Sequence, residues 1–248
     1  MSSTPPDGVF VPVPTFFYAE AKAPALQPAV NFPTQVAYSL VLMGSTSEAV
    51  HLSGQERFDM VSGVRKGLDD AGYEDYPIMA GVLVNNVDEV LEWLHDAHKA
   101  VAQWGLVLAP GYFGTASTQD NLIEWDTLVA DRSPLPILIY NYPGSTNNLV
   151  VDVNTYVTLP AHPNIVGSKR PLDEPTLEEL RRLQWKVSAA EEFIVNHSIL
   201  GIREGIYKEL GFGHLSGGRL PLKGALAVGA FEECNGILGQ MAEEEKRL

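Results

Sequence analysis

Short apolar runs and stretches of helical spacing alternate along this chain as far as residue 169, and that alternation limits the fold more than any other feature. Val9–Phe17, Leu40–Met43, Pro77–Val84, Leu106–Ala109, Pro136–Tyr140 and Pro163–Lys169 each read as a strand bounded by Gly, Pro or polar residues. The first is broken by Pro12 and Pro14, Tyr18–Pro33 reads as irregular, and Thr34–Tyr38 as a short helix. Ser53-Gly54-Gln55-Glu56 is a capping box, followed at helical spacing by Phe58, Val61, Val64 and Leu68 and stopped by Gly72. Asn86 caps a helix running to Ala102, with Glu89 at the third position. Asn121–Ala130 and Asn154–Leu159 complete the helices between strands. Such alternation predicts an α/β fold with a parallel sheet. Eight units close a (β/α) barrel of TIM type in about 250 residues. Six strands are counted here, so the expectation is an incomplete (β/α) barrel followed by C-terminal helices, one domain over residues 1–248.

Past Lys169 the alternation stops. Thr176-Leu177-Glu178-Glu179 is a second capping box, and Leu177, Leu180, Leu183, Val187, Ala190 and Ile194 keep helical spacing. A further helix is expected from Ile199 to Leu210, ended by Gly211. A Gly-rich segment from Gly213 to Gly229 and an acidic helix from Phe231 to Leu248 close the chain.

Composition narrows the partners. The chain carries 17 basic against 31 acidic residues, a formal charge of −14, which repels nucleic acid and anionic membranes. No apolar stretch is long enough for a membrane span, and Met1–Gly8 lacks the basic start and apolar core of a signal peptide. Cys234 is the single cysteine, so no intrachain disulfide forms, which fits a reducing, cytoplasmic setting.

Two strands each deliver a reactive side chain at their C-terminal end, Tyr140 and Lys169. In a parallel α/β protein that is the end where ligands bind. A lysine amine forms a Schiff base with a ketone and a nearby phenol moves the protons, so the pair suggests carbonyl chemistry. Gly44-Ser45-Thr46-Ser47-Glu48 follows another strand, and Pro110-Gly111-Tyr112-Phe113-Gly114 follows a third. Each motif alone is an ordinary strand end or turn; their co-occurrence after successive strands carries the reading. His95, Asp96 and His98 read as a solvated helix face rather than a metal site. Gly211-Phe212-Gly213-His214 follows a helix and lacks a third glycine, so it is no dinucleotide loop.

Together these residues resemble the pyruvate-dependent class I aldolases of the dihydrodipicolinate synthase and N-acetylneuraminate lyase superfamily. The resemblance is carried by Gly44–Glu48, His51-Leu52-Ser53 through Glu56-Arg57, Tyr140-Asn141-Tyr142-Pro143 and Pro163–Lys169. Trp104 to Gly114 is most similar to fungal 2-keto-3-deoxy sugar-acid and 4-hydroxy-2-oxoglutarate aldolases. The resemblance implies a cofactor-free enzyme that cleaves a 2-oxo acid to pyruvate and an aldehyde. By it, Lys169 forms the imine, Tyr140 shuttles protons, and Ser45 and Thr46, with Gly44, bind the carboxylate and relay protons. Tyr112 matches a tyrosine that reaches a neighbouring subunit's site, which implies a homo-oligomer.

Three departures from the family pattern stand in the sequence. Ser47 replaces a glycine, and a positive φ there would strain it. Ser145 stands where dihydrodipicolinate synthases carry an arginine, which argues against lysine biosynthesis. Arg170–Pro175 is all that separates Lys169 from the next helix, where the family has about two more strands. Two readings therefore stay open: an aldolase, or a degraded or repurposed member that acts as a binding or partner protein or on another carbonyl compound.

Overall fold

A computed structural model describes residues 4–6, 10–17, 24–25, 39–168, 177–211, 213, 215, 218–232 and 235–239. The chain divides into two compact units, Met1–Thr15 with Ala29–Arg170, and Phe16–Pro28 with Pro171–Leu248.

The first unit is built on six parallel strands: β1 (Phe10–Pro12), β4 (Ser39–Leu42), β5 (Ile78–Val82), β6 (Trp104–Leu108), β7 (Ile137–Tyr140) and β8 (Ile165–Ser168). They lie side by side in chain order, β1-β4-β5-β6-β7-β8. The expected strand and helix alternation is therefore present; β1, β5, β7 and β8 are shorter than their apolar runs, β4 is shifted by one residue, and β6 starts two residues earlier, at Trp104. Strands β4, β5, β6 and β7 are buried along their whole length, as both-face burial of a parallel sheet requires. Helices α1 (Gly54–Asp70), α2 (Val87–Lys99), α3 (Gln119–Arg132) and α4 (Val153–Thr158) fill the crossovers. The caps explain where they start. Ser53 closes the capping box with Glu56, Asn86 accepts from the amides of Asp88 and Glu89, and Asp152 accepts from that of Thr155. Helix α3 begins at a Thr118 cap, two residues before the expected start. Near the end of α1, the buried guanidinium of Arg65 bonds Asp69 and the carbonyls of Tyr73 and Tyr76, holding the turn that follows. Gly105 lets α2 sit on the sheet, since a Cβ there would meet Leu94 Cδ2 at 2.3 Å.

The second unit holds a small antiparallel pair, β2 (Phe16–Phe17) with β3 (Pro24–Ala25), of which β3 falls inside the stretch expected to be irregular. The first predicted strand thus splits at Val13-Pro14-Thr15 into two strands of different sheets. A helical run, α5 (Leu177–Leu210), is interrupted at Ser198, whose φ of 52° and ψ of −148° are not helical. That break falls between the two helices expected from the sequence, and Gly211 takes a φ of 75° at the end. Arg203 is buried and donates to the carbonyl of Leu222 at 2.8 Å. Lys208 lies 4.2 Å over the Phe231 ring and pairs with Glu204 and Glu232. Among the described residues, no helix is long and apolar enough to cross a membrane. Thr34–Tyr38, Lys169 and the Thr176 cap lie outside the described residues.

Candidate active site

The C-terminal ends of β4 and β7 bring two predicted site residues together. Tyr140 is the last residue of β7 and is 9% exposed. Its hydroxyl is hydrogen-bonded to Ser45, in the turn that follows β4. Its ring stacks on that of Tyr142, with centroids 5.8 Å apart. Burial pushes the Tyr140 phenol above its ordinary value, the Ser45 hydrogen bond pulls it part of the way back, and Tyr142 adds a small push upward. At neutral pH Tyr140 is therefore a protonated acid with a hydroxyl partner in place.

The turn carrying Ser45 is shaped by backbone rather than by side-chain bulk. Gly44 is buried, while Ser45 and Thr46 are half-buried. Met43 and Glu48 take the left-handed conformation, with φ of 58° and 55°. Ser47 does not, so serine in place of glycine puts no strain on the backbone there. Its hydroxyl instead donates to the carbonyl of Val13 and ties the turn to the segment after β1. Gly81 makes room for the turn from the neighbouring strand: a Cβ there would lie 2.4 Å from the Met43 carbonyl oxygen and 2.8 Å from Gly44.

Tyr112 sits apart from this pair, on the loop after β6. Its side chain is 73% exposed and meets the equally exposed Phe113 edge-on at 5.1 Å. The backbone below it is held firmly. Its amide donates to Asn85 Oδ1 at 3.0 Å, and Asn147 Nδ2 donates to the carbonyls of Gly111 and Tyr112. The structure thus places Tyr140 with Ser45, Thr46 beside them in the chain, and Tyr112 at the surface; Lys169 is beyond the described residues. Strand β8 leads up to it. An extra residue in β8 shifts the register after Ile137 and Ile165, so that Gly167 lies opposite Leu138 and Ser168 opposite Ile139.

Three further polar residues belong to this region: Asn141, part of the Tyr140–Pro143 motif but given no role there, and Tyr156 and Asp126, which were not singled out from the sequence. Asn141 binds both backbone groups of Val151, at 3.4 Å to its carbonyl and 3.3 Å from its amide. The Tyr156 hydroxyl is hydrogen-bonded to Asn141. Asp126 is wholly buried on α3. Its signal was available: it stands at helical spacing between Leu122 and Val129, both buried, where an apolar residue belongs. Among the described residues, no group of three His, Cys, Asp or Glu side chains could hold a metal ion.

Comparison with known proteins places this geometry. Residues 9–195 match the dihydrodipicolinate synthetase family. The chain is 35% identical over 167 residues to the L-threo-3-deoxy-hexylosonate aldolase of Aspergillus niger, covering 65% of this chain and 50% of that protein. It is 34% identical over 166 residues to a protein of Emericella nidulans assigned as a mitochondrial 4-hydroxy-2-oxoglutarate aldolase, covering 65% and 53%. The chain spans about half the length of these relatives. Among solved structures, the dihydrodipicolinate synthase of Thermotoga maritima superposes with a TM-score of 0.80 at 19% identity, over 95% of this chain and 98% of that one, which establishes a shared fold.

Proposed function

Because this chain belongs to the dihydrodipicolinate synthetase family, we propose that it is a class I aldolase. In this reading it cleaves a 2-oxo-3-deoxy or 4-hydroxy-2-oxo acid to pyruvate and an aldehyde through an imine on Lys169. The observation that carries the proposal is the hydrogen-bonded Ser45–Tyr140 pair at the end of β7, facing the strand that runs into Lys169. Ser168, which precedes Lys169, lies opposite Ile139, which precedes Tyr140. The fungal sugar-acid aldolase at 35% identity supports the substrate class. Ser145 in place of the arginine expected of lysine-pathway enzymes supports it as well.

The chemistry follows from the state of Tyr140. The Lys169 amine adds to the C2 carbonyl of the oxo-acid. Tyr140, held protonated by burial, gives its proton to the carbinolamine hydroxyl, which leaves as water. The phenolate left behind, hydrogen-bonded to Ser45, then takes the proton of the C4 hydroxyl as the C3–C4 bond breaks. The iminium receives the electron pair as an enamine and the aldehyde departs. Protonation at C3 and hydrolysis release pyruvate and restore the lysine. Ser45 and Thr46 bind the carboxylate. Tyr112, exposed on a braced loop, extends toward a neighbouring subunit, so the working form is a homo-oligomer.

Borohydride reduction in the presence of pyruvate tests the proposal. A stable adduct is expected on the peptide containing Lys169, absent from the Lys169→Arg variant. An adduct on another lysine, or none at saturating pyruvate, refutes it.

A further inference from the structure

Asp126 has 0% exposure, and neither of its carboxylate oxygens has a hydrogen-bond partner among the described residues. An ionised carboxylate in such a place has lost its water and gained nothing in return, so the group resides there as the neutral acid. It lies on α3, which packs against α2, α4 and the turn Leu159–Ala161. From α4 comes Tyr156, whose phenol is raised first by burial, with Asp126 adding to the rise. From α2, Asp88 is taken up by Arg132 at 3.2 Å, and from the end of the turn, His162 is taken up by Asp131 at 3.0 Å. Neither pair supplies Asp126 with a counter-charge, and desolvation alone sets its state.

From Asp126 a line of contacts leads to the loop after Tyr140. Gln119, in the first turn of α3, donates to the carbonyl of Val150 at 2.8 Å and accepts from the amide of Asp152 at 3.0 Å, and Asn141 fastens Val151 by both backbone groups. Val151 and Asn141 are thereby the two ends of the loop that contains Tyr142 and Asn147. We propose that Asp126 is a proton-controlled latch: as the neutral acid it lets α3 and α4 close over it and keeps the Asn141–Val151 clasp shut, and its ionisation opens that seam to water and releases the loop. The aldol chemistry proposed for Tyr140 and Lys169 has no use for this carboxyl, so the latch acts on loop mobility and not on the reacting atoms.

Burial lifts the Asp126 carboxyl to about 7, so the latch turns over near neutral pH. Amide hydrogen exchange of the full chain, followed by mass spectrometry from about pH 4 to about pH 8 and corrected for the intrinsic rate, reads it out. Opening that releases this proton grows by up to about tenfold per pH unit between the ordinary carboxylate value of 3.8 and about 7, and levels off above it. In the wild type, peptides covering Asn141–Val151 and α4 should lose protection at that rate. In Asp126→Asn, which cannot ionise, they should keep a pH-independent protection. Should the asparagine variant fail to fold, Asp126→Leu, which removes the polar atoms altogether, replaces it. Exchange that is flat with pH in the wild type overturns the proposal. So does a pH dependence that survives in the folded variant. No activity is measured, so a failure here is separate from a failure of the aldolase reading.

Discussion

Tyr140 and Ser45 divide the work of one hydroxyl pair, and substitutions separate their parts. Tyr140→Phe keeps the ring that stacks on Tyr142 and removes the proton donor. Loss of a general acid–base group costs typically about 10²–10⁴-fold. That loss is expected in kcat/KM for cleavage of a 2-oxo-3-deoxy acid, with thermal stability nearly unchanged. A variant retaining more than about a third of the wild-type kcat/KM would remove Tyr140 from the proton path. Ser45→Ala takes away the hydrogen bond that lowers the phenol. Tyr140 should then titrate higher, and the alkaline limb of the pH–rate profile should move up, not down. The sequence displayed these two residues because each follows an apolar run. It did not display the backbone beneath them. Ser47 looked strained by analogy with glycine, but the left-handed residues are Met43 and Glu48, and neither residue type announces a positive φ.

At the level of elements, side chains that end one element and start the next set the spacing between them. Asn164 Nδ2 lies 2.9, 3.3 and 3.1 Å from the carbonyls of Ala130, Ser133 and Leu135. It therefore gathers the end of α3, the turn after it and the approach to β7, just before β8 begins. Buried acceptors left without a donor cost about 1–3 kcal/mol. Asn164→Ala should lower the unfolding free energy by about that amount, read as a lower urea midpoint at unchanged m. A loss of unfolding free energy of less than about 0.5 kcal/mol would show that water replaces the amide. Capped helices of this kind were legible because a cap is a local code: Ser53–Glu56 and Asn86 fixed α1 and α2 nearly to the residue. Thr118 caps α3 in the same way, its hydroxyl accepting from the amide of Asn121. The β8 bulge and the β2–β3 pair were not legible, since each depends on a partner strand that local sequence does not name. That the six strands run parallel, by contrast, follows from alternation, while their side-by-side chain order is what the structure adds.

For the whole molecule the acid side of the charge balance matters in two ways that respond differently to salt. The formal charge of −14 makes carboxylates repel one another as they ionise, and stability falls as pH rises. Asp126 acts in the same direction for another reason. Its ordinary value of 3.8 is lifted to about 7 in the folded chain, so between those values the native state binds a proton that the unfolded state has lost. Its contribution is complete below pH 3.8, declines through the interval, and is gone above about 7. A shift of that size corresponds to about 4 kcal/mol across the window. Surface repulsion is screened within about 10 Å at 0.1 M salt, whereas a carboxyl sealed in the α3–α4 seam is not. Urea unfolding of the wild type and of Asp126→Leu, at several pH values and at low and high salt, distinguishes the two. The difference in unfolding free energy should slope with pH between about 4 and about 7 and be the same at both salt concentrations. A difference that is flat with pH would mean that Asp126 is solvated or paired in the native protein. A slope that vanishes in salt would assign the effect to the surface charge.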